Sequence, residues 1–507
     1  DNSLFGNLSS DVIDSVFKQV DASTVSIALP TGVGFCMGVN LEAWKQIGPF
    51  DEERFGRGYG EENDWCMRAS LAGYKNLAIP NLFVYHKHGG SFSSEEKQKL
   101  AWENLQKLNR LHPNYQELVN NFIANDPLQP IRKFASLCLM GPASSDKTIL
   151  IIDHEYGGGA NAYRKQLVEN HLKIGQAVLL LTYDVQKRSI KLRALFQNYE
   201  EIFYVLRVDD LFILPKYLQI GEIFYNNMVS FGKALDMVSA IYHLKMVTGA
   251  KLTVAVHDYY MLCPSYNLLN YEGQYCDLPS IETCRKCLPI NRFRNRNDPE
   301  DILKWRQEWF ALLDKAEKII CFSESSERLL KKIYNLEHKY ISIQPHKPLI
   351  QFEKKPRVFF EYPLSIGVVG GIDYAKGANM VVEVAKILLE YDPSIKITVI
   401  GILYPPAQLP NITITGQYDL SELPDMLEQH KINLCFFPSI CPETFSYVTS
   451  ELMDLKMPIC AFNLGAQAER IKSYPLGYII SKIDAKVAAS EMLEFFARLK
   501  QSVSAKP

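Results

Sequence analysis

Two glutamates eight residues apart, Glu443 and Glu451, punctuate the stretch Cys441-Pro442-Glu443-Thr444-Phe445-Ser446-Tyr447-Val448-Thr449-Ser450-Glu451. A carboxylate accepts hydrogen bonds in pairs, which suits a diol of a sugar or a ribose. Thr444 and Ser446 add hydroxyl donors between them. The apolar run Ile432 to Pro438 comes before, and a helix continues through Leu452, Met453 and Leu455. The order is strand, short loop, helix N-terminus. That order points free N–H groups and a positive dipole end at whatever lies in front of the sheet. With both glutamates helical, they stand roughly 80° apart around the axis and about 12 Å along it. An acidic helix start that complements the dipole is the alternative account of Glu443.

Similar turns recur along the chain. The apolar strand Thr148 to Asp153 runs into His154-Glu155-Tyr156-Gly157-Gly158-Gly159 and then a helix. Glycine there lets backbone approach a ligand closely. The pattern lacks the spacing and distal acid of a dinucleotide fingerprint, which excludes that reading. The strand Leu252 to Val256 ends in His257-Asp258, and a His at the carboxyl end of a parallel strand stands where α/β folds bind ligands. A structural His at a strand end is the alternative. The strand Leu364 to Gly371 leads to Lys376-Gly377 and a helix. A lysine beside such a turn can meet a diphosphate as a compact charge.

Near the start, a glycine-rich turn leads into Glu61, Glu62 and Asp64 at a helix opening, and His86 and His88 follow. A carboxylate beside a hydroxyl gives general-base help, and clustered carboxylates raise one another's pKa. A solvated acidic helix start and a surface His pair would look the same. Cys263, Cys276, Cys284 and Cys287 form a group within eleven otherwise scattered cysteines. The final Cys-x2-Cys suits a tetrahedral zinc corner, while the other spacings fit no standard finger. A structural zinc and free thiols both stay open.

What positions these residues is an alternation of apolar strands and helices, the pattern of parallel α/β sheets. At 507 residues the chain suits about three domains. Hydrophobic residues at 47% and charged residues at 22% are globular proportions. A net charge of -2 argues against a general nucleic-acid binder. No apolar run is long enough to span a bilayer. The cysteine usage suits a reducing compartment, so the expected location is the cytoplasm, at the inner face of the membrane if the basic run Arg292-Phe293-Arg294-Asn295-Arg296 makes peripheral contact there.

The Glu-x7-Glu stretch, with its preceding turns, resembles the retaining glycosyltransferases of family 4, which have the GT-B fold. The resemblance implies catalytic roles for His257 and Glu443. It implies donor contacts from Gly158, Gly159, Gly371, Lys376, Gly377, Thr444, Phe445, Ser446 and Glu451. It implies no cofactor for this module, and a C-terminal helix, about 485–499, that crosses back towards the first domain. Ile372 stands where the family usually carries an arginine. The blocks Thr31–Val39, Gly58–Ala69 and Val84–Phe92 are similar to the second half of a family 2 enzyme with the GT-A fold. That likeness implies Glu62 as base, with Glu61, Asp64 and His86 or His88 on the acceptor and metal side. An intact GT-A module would use Mg or Mn. No Asp-x-Asp motif precedes these blocks, so the segment is expected to be inert by itself.

The expected fold is therefore α/β, with GT-B double Rossmann-like domains preceded by a partial GT-A segment. Residues 1–125 are that segment and 126–146 a linker. Residues 147–345 form the N-terminal acceptor domain with a Cys-rich insertion, and 346–507 the nucleotide-sugar donor domain. The expected activity is transfer of a sugar from a nucleotide-sugar donor to a glycan or lipid-linked glycan acceptor, with retention, in bacterial surface polysaccharide assembly. A non-catalytic carbohydrate- or nucleotide-binding scaffold is the rival from another class.

Overall fold

The structure, a computed structural model, describes residues 3–23, 25–56, 58–86, 94–360 and 363–504. The chain divides into two units. The first covers the chain to Lys147, with the short stretches Gly175–Ala177 and Phe196–Glu201. Its paired strands before Lys147 are β1 (Ala28–Leu29) and β2 (Asn76–Leu77), which run antiparallel. The expected strand over Thr31–Val39 is instead a loop around one tight turn, Gly34–Cys36. Extended backbone needs a neighbour for its N–H and C=O groups, and β2 ends opposite the residues before Thr31. No parallel sheet forms here among the described residues, so the GT-A likeness rests on its sequence blocks.

The helix Glu61–Leu71 forms as expected behind Gly60, whose φ of 140° suits glycine. Trp65, Cys66 and Ala69 pack it against Ala43. Asp64 points into this packing, 3% exposed. It accepts from Arg68 Nε at 2.7 Å and pairs with His112 Nε2 at 2.8 Å. Arg68 also donates to the carbonyls of Ile47 and Pro49. Asp64 is thus an internal anchor, which corrects its expected place on a substrate side. The helix Ser94–Leu111 also forms, with Leu108 buried, but Trp102 stands 64% exposed. The expected linker contains a helix, Gln129–Ala143. Pro130 is harmless in its first turn, where the N–H has no partner to lose. Leu137, Cys138 and Met140 are buried, so its apolar face overrides the proline signals.

The second unit holds two α/β domains. The first sheet contains β3 (Thr148–Ile152), β4 (Val178–Asp184), β5 (Ser189–Phe196), β6 (Tyr199–Val205), β7 (Ile220–Tyr225), β8 (Lys251–Ala255), β9 (Lys318–Cys321) and β10 (Ile341–Ile343). Their order is β10-β9-β8-β7-β3-β4-β5-β6. Pairing is parallel from β10 to β4, and β5 returns antiparallel beside β4. The second sheet contains β11 (Ser365–Ile372), β12 (Lys396–Leu403), β13 (Ile412–Ile414), β14 (Leu434–Phe437), β15 (Ile459–Phe462) and β16 (Gly477–Ile480). It is parallel throughout, in the order β13-β12-β11-β14-β15-β16. Every residue of β3 and β14 is buried, as continuous apolar runs between helices must be. The C-terminal helix Ala485–Ser504 corrects one expectation. Ala488, Met492, Phe495 and Leu499 spend its apolar face on the second domain's own core, beside Val381 and Val399.

Removing a charge from a buried pair leaves its partner uncompensated, at a cost on the order of 3 kcal/mol. Asp64→Asn should therefore loosen the first unit and spare the second. Hydrogen exchange across Glu61–Leu71 checks this, and unchanged protection there would refute it.

Candidate active site

In the second sheet the strand order reverses between β11 and β14, and in the first between β3 and β7. Ligands of open α/β sheets bind in the crevice beyond the strand ends at such a point. A cavity of about 590 Å³ is lined from both sheets. The first turn of the helix Gly158–Lys173 after β3 contributes Gly158 and Gly159, and the segment just past β8 contributes His257. The end of β11 contributes Gly371 and the turn after it Lys376, and the loop after β14 contributes Glu443 to Ser446.

That last loop is built differently from its expected helix start. The helix begins at Tyr447, so Glu443 lies outside it. Ser446 sits at φ 72°, a conformation that interrupts the helix, and its side chain caps Thr449 N. Glu443 is held by its backbone. Its N–H donates to Gln467 Oε1 at 3.1 Å, and its carbonyl accepts from Ala466 N at 2.9 Å. Gly465 makes room for this, because a Cβ on it would lie 2.5 Å from Glu443 N. Of the two expected hydroxyl donors, Thr444 is committed elsewhere and Ser446 acts as an acceptor. Thr444 Oγ1 donates to the His257 carbonyl at 3.0 Å, and Ser446 Oγ is the cap. Phe445 is 5% exposed and packs into the first domain's core with Ile149, Ile151 and Phe224.

His257 stacks on Phe322 at 4.4 Å between ring centroids and faces His346 at 5.2 Å. His346, in the segment after β10, escaped the sequence reading. Its only signal there is a polar ring beside Pro345, at the junction of the two domains. Burial, with His346 beside it, holds the His257 imidazole well below its usual range. Burial also brings His346 down to about 4. Both rings are therefore neutral near pH 7. His257 Nε2, His346 Nδ1 and Glu443 Oε1 are buried without hydrogen-bond partners. Each such atom costs about 1–3 kcal/mol that a polar ligand can restore.

Behind the glycine loop, Asp153 accepts from Asn161 Nδ2 at 2.7 Å and meets Arg164 at 3.2 Å. Burial still pushes Asp153 up to about 6. Asp258 accepts from Asn227 at 2.6 Å and from Tyr260 N at 2.8 Å, and burial pushes it likewise to about 6. Gly159 abuts Tyr447, where a Cβ would come 2.8 Å from the ring. Gly377, at φ 85°, passes so close to Pro438 that a Cβ would lie 2.1 Å from its carbonyl oxygen. Lys376 alone among the described lining residues is a lysine or arginine. Its N–H is held by Asp373 Oδ1 at 2.9 Å.

Glu451 is buried but is not part of the cavity lining, and burial raises its carboxyl to about 7. Glu61, Glu62 and His86 lie in the other unit, where burial, with Glu62 beside it, raises Glu61. His86 stacks on Phe35 at 4.4 Å, and His88 lies outside the described residues. Cys263, Cys276, Cys284 and Cys287 lie in the insertion that follows β8. Among the described residues no three metal-ligating side chains converge. Burial raises the thiols of Cys263, Cys276 and Cys284. Cys287 Sγ accepts from Asn291 at 3.4 Å.

Residues 350–502 match the family model for glycosyl transferases group 1. The match lies within the second domain, which accordingly resembles a group 1 glycosyltransferase domain. A search of the curated proteins gave no match. Among solved structures, the chain is similar to sucrose-phosphate synthase from Thermosynechococcus elongatus, at 17% identity and TM-score 0.48, over 69% of this chain and 90% of that one. It is also similar to TarM, at 13% identity and TM-score 0.40, over 64% of this chain and 60% of that one. Anabaena HepE in complex with UDP is similar at 12% identity and TM-score 0.43, over 71% of this chain and 95% of that one.

Glu451 yields a pH test. Its folded pKa of about 7 exceeds the ordinary 4.5, so the native state favours the protonated form. Stability is then greatest below about 4.5 and falls as pH rises through about 7, by at most about 3 kcal/mol from this group. Glu451→Gln should flatten that part of the profile. Urea denaturation of both proteins at acidic and mildly alkaline pH checks it, and identical profiles would count against it.

Proposed function

We propose that this chain moves a sugar from a nucleotide-sugar donor to a hydroxyl of a glycan or lipid-linked glycan acceptor, with retention at the anomeric carbon. The observation that carries this reading is the convergence of His257 from one sheet with Lys376 and Glu443 from the other. The group 1 match over 350–502 supports it. Assembly of a bacterial surface polysaccharide is the setting we infer from the likeness of residues 1–125 to a second class of sugar transferase.

The chemistry follows from the side chains present. Lys376 meets the donor diphosphate as a point charge. The free N–H groups of the helix Ala378–Tyr391 point the same way as its dipole. Together they stabilise the leaving diphosphate without a metal. Glu443, with a buried oxygen that lacks a partner, accepts hydrogen bonds from the transferred sugar. Glycosyl transfer develops positive charge at the anomeric carbon. A neutral His257 can bond a sugar hydroxyl without adding positive charge beside that centre. No second carboxylate attacks; the acceptor enters on the leaving-group face, and the departing phosphate takes its proton.

Incubation with a panel of nucleotide sugars, read as nucleotide release, tests this. Glu443→Ala and His257→Ala should each lower turnover by about a hundredfold or more with the fold intact. Glu62→Gln and a chelator should leave turnover unchanged. Full turnover in Glu443→Ala refutes the assignment, and nucleotide binding without turnover in the unaltered chain marks a binding scaffold instead.

A further inference from the structure

A second hollow, of about 960 Å³, shares Tyr266, Asn267, Asp373 and Ala375 with the cavity above. The two are therefore one continuous groove. The walls of the extension come from the Cys-rich insertion and the basic run behind it, from the turns after β11 and β12, and from the β4–β5 turn with Arg188 and the segment after β7. Tyr374 ties these walls together. Its ring lies 5.0 Å from Phe293, and it sits so tightly on Gly273 that a Cβ there would come 2.2 Å from its hydroxyl.

The lining has a definite chemistry. Tyr266 is 40% exposed and Tyr404 71% exposed, and both present ring surface to the groove. Asn267 and Asn297 supply amides. Arg188 and Arg292 outweigh Asp373, while Arg294 is neutralised by Glu300 at 2.6 Å. Arg292 is exposed, and its guanidinium lies 4.9 Å from the Phe293 ring and 5.4 Å from the Tyr374 ring. Its loop is pinned on both sides. Asn291 donates to the Leu269 carbonyl at 2.9 Å, and Arg294 Nε to the Leu288 carbonyl at 2.8 Å.

We propose that this extension binds the acceptor as an acidic oligosaccharide. This rests on the reading of the adjoining cavity as the transfer site. Exposed tyrosine rings offer flat apolar surface with a polar tip, which matches the faces of sugar rings. The amides match hydroxyls, and the unpaired arginines match carboxylate, sulfate or phosphate substituents. The volume exceeds that of the catalytic cavity, so it takes several rings. A lipid surface would call for a projecting basic face; here the cations sit in a concave aromatic wall.

The test uses the full chain. Calorimetric titration with a hyaluronan hexasaccharide, which is acidic, should show tighter binding than with maltohexaose, which is neutral. The preference should shrink as salt rises. Arg292→Ala should weaken the acidic ligand about tenfold, the usual scale for one charged contact. Tyr404→Ala should weaken both ligands. Uridine diphosphate binding, which reports on the cavity, should be unchanged in either variant. Equal affinity for the two sugars, or no effect of Arg292→Ala, overturns the proposal while leaving the transfer reading intact. Sedimentation with phosphatidylglycerol vesicles that Arg292→Ala abolishes, without oligosaccharide binding, overturns it in favour of a lipid surface. A chain that binds the acidic hexasaccharide but neither nucleotide nor nucleotide sugar would refute the transfer reading and keep the groove.

Discussion

Phe445 belongs to one domain by sequence and to the core of the other by packing. Burying such a ring contributes about 1.5–3 kcal/mol. The wedge is what brings the two crevices to face each other. Around it, Thr444 reaches the His257 carbonyl, Gly159 meets Tyr447, and Arg470 lies 4.6 Å from the Phe445 ring. Glu469 adds a polar seam by accepting from Glu324 N and Ser325 N at the start of the helix Glu324–Ile333. Negative charge there complements the helix dipole. The cavity is thus a property of the joined domains rather than of either alone.

The same closeness sets the electrostatics. Rings of Tyr163, Phe322 and Phe445 surround His257 and His346 and exclude water. In that environment the charged form of each imidazole is penalised, and the buried carboxyls of Asp153 and Asp258 rise. Polar atoms left without partners reduce the stability of the folded chain. They also give a sugar something to bond that water does not already hold. Such local conflict at a site, offset by packing elsewhere, is common in functional folds.

The first unit shows how an acidic cluster divides by burial. Glu61, Glu62 and Asp64 read as one group along the sequence. On the helix, Asp64 turns inward to Arg68 and His112. Glu62 stays near the turn and accepts from Gly60 N at 3.3 Å. Each residue advances a helix by about 100°, so Glu62 and Asp64, two apart, point about 200° from one another, and neighbours in sequence acquire unlike roles.

Strand runs, glycine turns and the residues that end them were legible in the sequence because they depend on local chemistry. Continuous apolar runs made β3, β11 and β14 parallel interior strands, and Gly157-Gly158-Gly159, His257 and Lys376 fell at strand ends as expected. Three things depended on tertiary contacts. Gln129–Ala143 became a helix because its apolar face found a partner despite its prolines. Glu443 left the helix because Gln467 and Gly465, over twenty residues away, hold its backbone in a loop. His346 joined the site because the path after β10 carries it onto Phe322. The sequence by itself determined which residues could do chemistry and that parallel sheets would present them. Only the tertiary structure decided which share a cavity, because that follows from packing between segments distant in the chain, where local pattern carries no signal.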